Sequence, residues 1–443
     1  MPLRPADFWI VAVASMEQLI GGALATVIGV MLPMIHLLGH PQLPAALQGV
    51  VGATGLIGIG TGALLIGTLI DRKGYLLLFR LCPVAMLTGC AVCYFSTSAP
   101  ALVAGLFICG LGVGGGYSLD SAYISELMPK KWELTMVGVA KATCAIGFIG
   151  AAAACYLMLK AHPAADTWPR MILVVGALAL LAFIMRLRWA ESPKWLLAKG
   201  RPRQAQAALR AFLGPDATLP TAANAQAAPV QAKFSVRANL SRIIFSGIPW
   251  ACEGMGVYGF SVFLPVLVMA LGLDFSGTHP TGIQKVIGSV EVTATVNFFI
   301  LPGFIIGLCI MRRFSNLKML WGGFALSALG LGMLLAAYLL HWPAWTIVAG
   351  FIIYEISLNG GPHLITFVIP PRIYPVSDRG TGTGIADIMG KAGAVAGVIV
   401  MPLLLKWGGM PLVLGTSIGV MLLGAAVAYI FGHKLRDCLM SDS

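Results

Sequence analysis

Apolar runs of about twenty residues recur along the whole chain and constrain its fold more than any other feature. The chain has 443 residues, of which 58% are hydrophobic and 10% are charged, and its mean hydropathy is +0.87. A soluble domain carries roughly 25% charged residues. A run of about 20 apolar residues can cross a hydrocarbon core of about 30 Å as a helix. The sequence therefore predicts an all-α polytopic membrane protein.

Twelve such runs can be counted in the sequence. They cover residues 8–37, 47–70, 75–97, 99–128, 132–160, 168–187, 240–272, 283–310, 317–340, 343–371, 379–406 and 411–433. With the N-terminus inside the cell, the outer loops carry only four of the 29 basic residues: Lys160, Arg170, Lys285 and Lys406. This positive-inside bias predicts a plasma membrane protein (the cytoplasmic membrane in a bacterium) with both termini cytoplasmic. No cleavable signal peptide is expected, because the first run is too long.

A weak internal repeat relates the two halves of the chain. The segment 114–147 returns 246 positions later, so that Gly114 meets Gly360 and Pro129 meets Pro375. Such a repeat indicates one fold built twice. The predicted units are an N-terminal six-helix bundle at 1–187, a cytoplasmic linker with short amphipathic helices at 188–238, and a C-terminal six-helix bundle at 239–443.

Three short motifs lie on the predicted cytoplasmic side. Gly67-Thr-Leu-Ile-Asp71-Arg72-Lys73-Gly74 joins spans 2 and 3, and Tyr123-x-x-Glu126-x-x-Pro129 ends span 4. Glu191-Ser192-Pro193-Lys194-Trp195-Leu196 follows span 6 and is the most specific of the three. Together they resemble the signatures of the major facilitator superfamily, in particular its sugar-porter branch and the organic-ion and metabolite:proton relatives. The resemblance implies a two-bundle transporter that works by alternating access.

The same resemblance implies a set of gating residues. In that superfamily the Asp of the loop between spans 2 and 3 latches the outward-open state, a role that would fall to Asp71. The second half of the chain lacks a matching Asp. Charges of opposite sign occupy repeat-related positions, Glu126 against Arg372 and Glu133 against Arg379. They are expected to form a network when the inner gate closes, or else to be ordinary solvated charges. The predicted gating set is Asp71, Arg72, Glu126, Glu133, Arg372, Arg379 and Glu191.

Several ionisable residues fall inside the predicted spans. They are Glu17, Asp120, Lys141, Glu253, Glu355, Asp387 and Lys391. A charge in the bilayer core costs several kcal/mol unless it faces a partner or a polar cavity, so keeping so many suggests a function. The structural alternative is mutual neutralisation, with Asp387 and Lys391 one helical turn apart and Lys141 beside Asp120. Span 10 also carries a polar, breakable segment from Asn359 to His363.

Two lysines and several acids between the two bundles suit an anion and a carrier for protons. The predicted substrate-binding residues are Lys141, Lys391, Glu253, Tyr258, Asn359 and His363. The predicted proton-coupling residues are Glu17, Asp120, Glu355 and Asp387. The leading hypothesis is proton-coupled symport of a small organic anion, such as an aromatic or hydroxy acid. Proton-coupled efflux of drugs or metabolites and sugar or polyol:proton symport are the alternatives, although spans 5 and 7 lack the glutamines by which sugar-transporting relatives bind hydroxyls.

The sequence argues against several other classes of protein. It contains no nucleotide-binding loop, no cysteine pair with metal-site spacing and no nucleophile triad, so an enzyme is not expected. The net charge of +12 follows from the positive-inside bias and does not indicate a nucleic-acid partner. The expected partners are a small-molecule substrate, protons and the lipid bilayer. A monomer driven by the proton gradient, with no cofactor and no metal, is predicted.

Overall fold

A computed structural model describes residues 4–38, 45–219, 234–273, 281–311, 313–374 and 379–435. These residues form α-helices, one short 3-10 turn and connecting loops, with no strand among them. Ten helical segments of the described residues are long and apolar enough to cross a membrane. The all-α membrane fold is thereby confirmed.

The first half of the chain contributes six spans. They are Pro5–Ala14 with Met16–Leu38 (span 1), Ala45–Lys73 (span 2), Tyr75–Tyr94 (span 3), Ala99–Leu127 (span 4), Lys130–Ala161 (span 5) and Trp168–Arg186 (span 6). Two short helices, Pro193–Ala198 and Pro202–Leu213, follow span 6. Of the predicted linker at 188–238, residues 220–233 lie outside the described residues, and the division into units at this linker stays a prediction.

The second half contributes six more spans. They are Val236–Ala270 (span 7), Gly282–Phe298 with Ile300–Ile310 (span 8), Asn316–Leu339 (span 9), Ala344–Gly360 with Pro362–Val368 (span 10), and one continuous segment, Arg379–Lys434, that holds spans 11 and 12. A short helix, Pro370–Ile373, follows span 10. The long segment breaks at Gly409, where a φ of 62° and ψ of −160° interrupt the helix. A glycine adopts this left-handed φ without steric cost.

Spans 1 and 7 form the centre of the molecule. About 89% of the most apolar stretch of span 1 and 83% of the most apolar stretch of span 7 is buried, whereas only 33% of the corresponding stretch of span 6 is buried. These two helices occupy repeat-related places in the two halves. The interface between the halves is therefore built around them, and span 6 faces outward.

Lys73 and Arg188 mark one end of the bundle. The two halves meet closely at the opposite end, which we call the far end. A Cβ added to Gly29 of span 1 would lie 2.5 Å from the carbonyl oxygen of Val262 in span 7. A Cβ on Gly49 of span 2 would lie 2.8 Å from the carbonyl oxygen of Ile399 in span 11. Glycine is required at such positions because two backbones touch there. The far end is closed in this structure.

Two spans are interrupted next to ionisable side chains. Span 1 breaks at Ser15, two residues before Glu17, and the Thr143 hydroxyl of span 5 donates a 3.1 Å hydrogen bond to the Ser15 carbonyl. Span 10 breaks at Gly361, two residues before His363, as its glycine- and proline-rich sequence predicted. Irregular backbone at membrane depth is tolerated where protein groups satisfy it. Both breaks place an ionisable group in the interior.

Candidate functional site

The first half contains a buried acid–arginine cluster made of Glu17, Asp120 and Arg186. The Arg186 guanidinium of span 6 makes a two-point ion pair with the Glu17 carboxylate of span 1. Its Nη2 also lies 3.8 Å from Asp120 Oδ1 of span 4. All three side chains are almost completely inaccessible to solvent. Two carboxyl groups therefore share one permanent cation inside the bundle.

The cluster fits tightly among helix backbones. Arg186 also donates to the carbonyl oxygens of Phe79, at 3.0 Å, and Val13, at 3.3 Å, and its guanidinium stacks 3.5 Å from the centre of the Phe79 ring. A Cβ on Gly116 would overlap the Glu17 side chain. Neither Asp120 oxygen accepts a hydrogen bond from an N–H or hydroxyl group among the described residues, and the polar group beside it is the Glu17 carboxyl. Asp120 is thus the least satisfied member of the cluster.

A second group of charges, the lysine cluster, lies where the two halves face each other. Lys141 of span 5 and Lys391 of span 11 approach the same aromatic ring, that of Tyr117 in span 4. Their Nζ atoms lie 6.0 and 5.2 Å from its centroid. Lys391 Nζ is 3.7 Å from Asp387 Oδ1, and the side chains of these two residues are 16% and 34% exposed. The Tyr117 hydroxyl is within hydrogen-bonding reach of Tyr258 in span 7.

A chain of buried polar groups runs along span 10 and ends beside the lysine cluster. Glu355, Asn359 and His363 are spaced four residues apart, so they share one face of the helix across its break. Asn359 Nδ2 donates to Glu355 Oε2 at 2.9 Å, and Asn359 Oδ1 lies 2.9 Å from His363 Nδ1. His363 Nε2 in turn lies 3.6 Å from Glu253 Oε1 in span 7. Glu253 lies within electrostatic range of Lys141 and Lys391.

Glu126 and Glu191 hold the motifs near Lys73 and Arg188 together. Glu126 accepts hydrogen bonds from the Ser192 hydroxyl at 2.6 Å and from the backbone N–H of Lys194. Glu191 accepts from the backbone N–H groups of Tyr75, at 2.9 Å, and of Leu76. Both acids thus receive the free N–H groups of helix starts, where a negative charge is favoured. Each contact lies within the first half of the chain.

The remaining gating residues are placed only in part. The side chains of Asp71, Arg72 and Arg379 lie outside the described residues. Glu133 and Arg372 are partly exposed, and no ion pair links them to the opposite half among the described residues. The gating role of all seven residues stays a prediction, since the network is expected only when the end near Lys73 closes.

The structure brings the predicted substrate and proton residues together in three places. Lys141, Lys391, Asp387, Glu253 and Tyr258 meet at the lysine cluster or directly beside it. Asn359, His363 and Glu355 form the span 10 chain, and Glu17 and Asp120 belong to the acid–arginine cluster. The i, i+4 pairing of Asp387 with Lys391 is as predicted. Asp120 lies beside Arg186 instead of Lys141.

Two residues of these clusters were not expected from the sequence. Arg186 ends span 6, and a basic residue there is typical of positive-inside topology, so its sequence position gave no sign of a buried pair. Tyr117 directly follows three glycines in an apolar run, and nothing in that local pattern indicates a binding residue. The available signal for Arg186 was that Glu17 had no cation assigned inside its own half.

Comparison with protein families decides the class. The model of the family described as "Sugar (and other) transporter" matches residues 13–434. The chain belongs to this family. It is therefore a multi-pass membrane transporter of small molecules and not an enzyme. The resemblance seen in the three sequence motifs is confirmed.

Individual relatives are distant but cover nearly the whole chain. The inner membrane metabolite transport protein YgcS of Escherichia coli is 24% identical over 438 residues, which is 98% of this chain and 93% of that protein. A probable inorganic phosphate transporter of Arabidopsis thaliana is 24% identical and covers 88% of this chain and 82% of its own length. The family thus includes transporters named for metabolites and for an inorganic anion.

Solved structures support the same fold. The structure of the major facilitator superfamily proton:xylose symporter XylE from E. coli matches with a TM-score of 0.75 at 20% identity. The match covers 97% of this chain and 95% of that protein. The twelve-helix major facilitator fold predicted from the sequence is confirmed.

Proposed function

We propose that this transporter carries a small organic anion together with protons, and that the anion binds at the lysine cluster. The proposal rests on one observation: Lys141 and Lys391, which come from opposite halves, both approach the ring of Tyr117. Binding groups from both halves are what alternating access needs, because the substrate must be held while the halves rock about it. The partial exposure of Lys391 and Asp387 leaves the cluster within reach of water.

The charges at this place favour an anion over a neutral solute. Lys141 has no carboxylate within ion-pair distance among the described residues, and the only acid so close to Lys391 is Asp387. A carboxylate placed between the two ammonium groups would gain charge-assisted hydrogen bonds, each worth about 1.5–3 kcal/mol. Tyr117 and Tyr258 add two hydroxyls and two aromatic faces, which suit an aromatic or hydroxy acid.

The acid–arginine cluster suits a proton-binding role. Two carboxyl groups face one guanidinium that stays charged at every physiological pH, so the cluster is neutral when it holds one proton and negative when it does not. Asp120 is the group best placed to hold the proton, because no N–H or hydroxyl donor among the described residues satisfies its oxygens and the Glu17 carboxyl lies beside it. Glu17 and Asp120 therefore remain the proposed proton carriers of the first half.

Sugar:proton symport is the second candidate, and it is favoured by one observation. XylE, whose fold this chain shares over almost its full length, is a proton:xylose symporter. At 20% identity this likeness does not extend to the substrate. Spans 5 and 7 of this chain carry Lys141 and Glu253 and contain no glutamine, the residue by which sugar-transporting relatives are expected to bind hydroxyls.

Uptake into proteoliposomes separates the candidates. Purified protein is reconstituted with an acidic exterior, and the panel contains an aromatic acid, a hydroxy acid, inorganic phosphate, a hexose and a pentose. We expect accumulation of at least one organic acid that collapses when a protonophore removes the gradient. Accumulation of a sugar but of no acid would overturn the proposal in favour of the second candidate. Acid uptake that is insensitive to the protonophore would remove proton coupling.

A further inference from the structure

We propose that Glu253 and His363 hold one proton between them, and that this Glu253–His363 dyad takes up its proton when an anion binds at the lysine cluster. The inference rests on the proposed function, since the anion is the one assigned there. It adds a second proton site, in the opposite half from Glu17 and Asp120. It also gives Glu253 and His363 a role other than direct contact with the substrate.

The hydrogen-bond chain of span 10 sets the tautomer of His363. Asn359 Nδ2 donates both to the Glu355 carbonyl oxygen, at 2.8 Å, and to Glu355 Oε2, at 2.9 Å. The amide oxygen of Asn359 is therefore the atom that faces His363 Nδ1, 2.9 Å away. An amide oxygen only accepts hydrogen bonds. His363 Nδ1 must then carry a hydrogen, which leaves Nε2 to face Glu253.

The contact between His363 and Glu253 is incomplete without one further proton. His363 Nε2 and Glu253 Oε1 lie 3.6 Å apart, and each side chain is 3% exposed. Neither atom has a hydrogen-bond partner among the described residues. A neutral imidazole with its hydrogen on Nδ1 and an ionised carboxylate would present lone pairs to each other, which is unfavourable in a buried site.

One proton makes the same contact attractive. It sits on Glu253, whose carboxyl then donates to Nε2, or on His363, whose imidazolium donates to the carboxylate. In both forms the dyad has no net charge and the proton lies between the same two atoms. Loss of the proton to water leaves the dyad with one negative charge. No bond other than the N–H or O–H bond is made or broken.

The groups around the dyad couple it to the lysine cluster. Lys141 of span 5 and Lys391 of span 11 act electrostatically on both Glu253 and His363, and Asp387 acts on Glu253. The His363 imidazole also packs against the Phe304 ring of span 8, with 5.2 Å between the two ring centroids. The other titratable groups near the dyad are Glu355 and Tyr354 of span 10, Tyr258 of span 7 and Cys144 of span 5.

The net charge of the two lysines, Asp387 and the dyad favours binding of the proton and the anion together. With two lysines and Asp387 charged, the whole site is neutral when the dyad has lost its proton and carries one positive charge when it holds it. A monovalent anion neutralises the protonated site, whereas it would leave the deprotonated site with a net negative charge. Binding of the anion therefore strengthens binding of the proton, and the reverse holds by thermodynamic linkage.

Calorimetry of the binding step tests this coupling. An organic acid found in the uptake panel is titrated into detergent-solubilised protein in two buffers of different ionisation enthalpy, which reports the protons taken up per anion. We expect about one proton for the wild type and an affinity that rises up to about tenfold per unit decrease in pH. Glu253→Gln places a neutral N–H donor against Nε2, so it should bind the anion without proton uptake and without pH dependence. Asp166→Asn changes an exposed carboxylate in the short 3-10 turn before span 6, and this variant should behave as the wild type.

Two outcomes of the titration would overturn the inference while leaving the anion assignment intact. One is anion binding by the wild type with no proton taken up. The other is proton uptake that survives in Glu253→Gln and is lost in Asp120→Asn, since the linked proton would then belong to the acid–arginine cluster. Failure of every anion to bind the wild type would instead remove the proposed function and the coupling with it.

A second measurement examines the dyad without any anion. Nitrogen NMR of ¹⁵N-histidine-labelled protein is recorded across a pH titration, with His363→Gln to assign the signal. We expect a hydrogen on Nδ1 at every pH and an Nε2 resonance that moves with pH in the wild type but not in Glu253→Gln. A hydrogen found on Nε2 alone, or identical titrations in both proteins, would contradict the shared proton.

Discussion

The acid–arginine cluster and the lysine cluster contain similar groups but differ in access and in the kind of cation. Arg186 is enclosed by Glu17, Asp120 and backbone carbonyls, with no exposed surface. Lys391 and Asp387 remain partly exposed at the interface of the two halves. A guanidinium stays protonated and binds its acceptors in a fixed, planar geometry, whereas an ammonium on a flexible side chain can exchange one partner for another. Only the lysine cluster is therefore free to take a new anionic partner, while the cation of the acid–arginine cluster stays paired with its own two acids.

The largest effect is expected when the enclosed cluster is broken. Arg186→Met leaves two buried carboxyl groups without their cation, and removing one partner of a buried pair costs about 3–5 kcal/mol. We expect a large fall in the thermal unfolding midpoint in detergent. Adding Glu17→Gln to Arg186→Met should recover part of the loss, because one of the two stranded acids is removed.

Arg188→Met is the matched control for this change. Arg188 lies two residues further along the chain and is exposed, so its loss should leave the unfolding midpoint near that of the wild type. Equal midpoints for Arg186→Met and Arg188→Met would show that the enclosed cluster does not stabilise the fold, and the contrast between the two clusters would fail.

An intermediate effect, on binding instead of stability, is expected at the open cluster. Lys391→Met removes a charge-assisted hydrogen bond to the anion worth about 1.5–3 kcal/mol, which corresponds to a loss of affinity of roughly 10- to 150-fold. The unfolding midpoint should change little. Isothermal titration with the transported acid measures the affinity, and Lys406→Met, an exposed lysine of a predicted outer loop, serves as the control. A large drop in stability with unchanged affinity would reverse the roles assigned to the clusters.

The smallest effect is expected at the aromatic ring that both lysines approach. Tyr117→Phe keeps the ring and removes the hydroxyl, which lies beside Tyr258 and is proposed to bind the anion. Loss of one neutral hydrogen bond costs about 1 kcal/mol, so anion affinity should fall by roughly fivefold. Tyr117→Ala should cost considerably more, because the ring itself is lost. The same titration measures both variants, and equal affinities for the two would argue that the ring does not contribute to the site.

The sequence predicted the fold better than it predicted the sites. Hydrophobic runs place helices by composition alone, which is why the run at 75–97 corresponds to the helix Tyr75–Tyr94. The Asn359–His363 segment indicated the break of span 10, because two glycines followed directly by a proline favour an interruption of a helix. A single proline is not sufficient, since Pro83 and Pro249 lie inside unbroken helices. These are local properties, and local sequence is sufficient to read them.

Which side chains pair between two helices depends on how each helix is rotated about its axis and how deep each residue lies in the membrane. A local stretch of sequence does not encode either property. Asp387 and Lys391 were paired correctly because they lie on one helix, four residues apart. Arg186 was missed as the partner of Glu17, because the two are 169 residues apart and the arginine stands where topology alone would place a basic residue. The meeting of Lys141 and Lys391 at Tyr117 likewise requires the packing of three helices.

The most direct test of the central claim, that the lysine cluster recognises an anion, compares a transported acid with its neutral amide. Both are titrated into the wild type and into the Lys141→Met/Lys391→Met double variant. We predict that the wild type binds the acid at least about tenfold more tightly than the amide, a difference of about 1.4 kcal/mol, and that the double variant does not distinguish them. Equal binding of acid and amide by the wild type, or a preference for the acid that persists in the double variant, would contradict the claim.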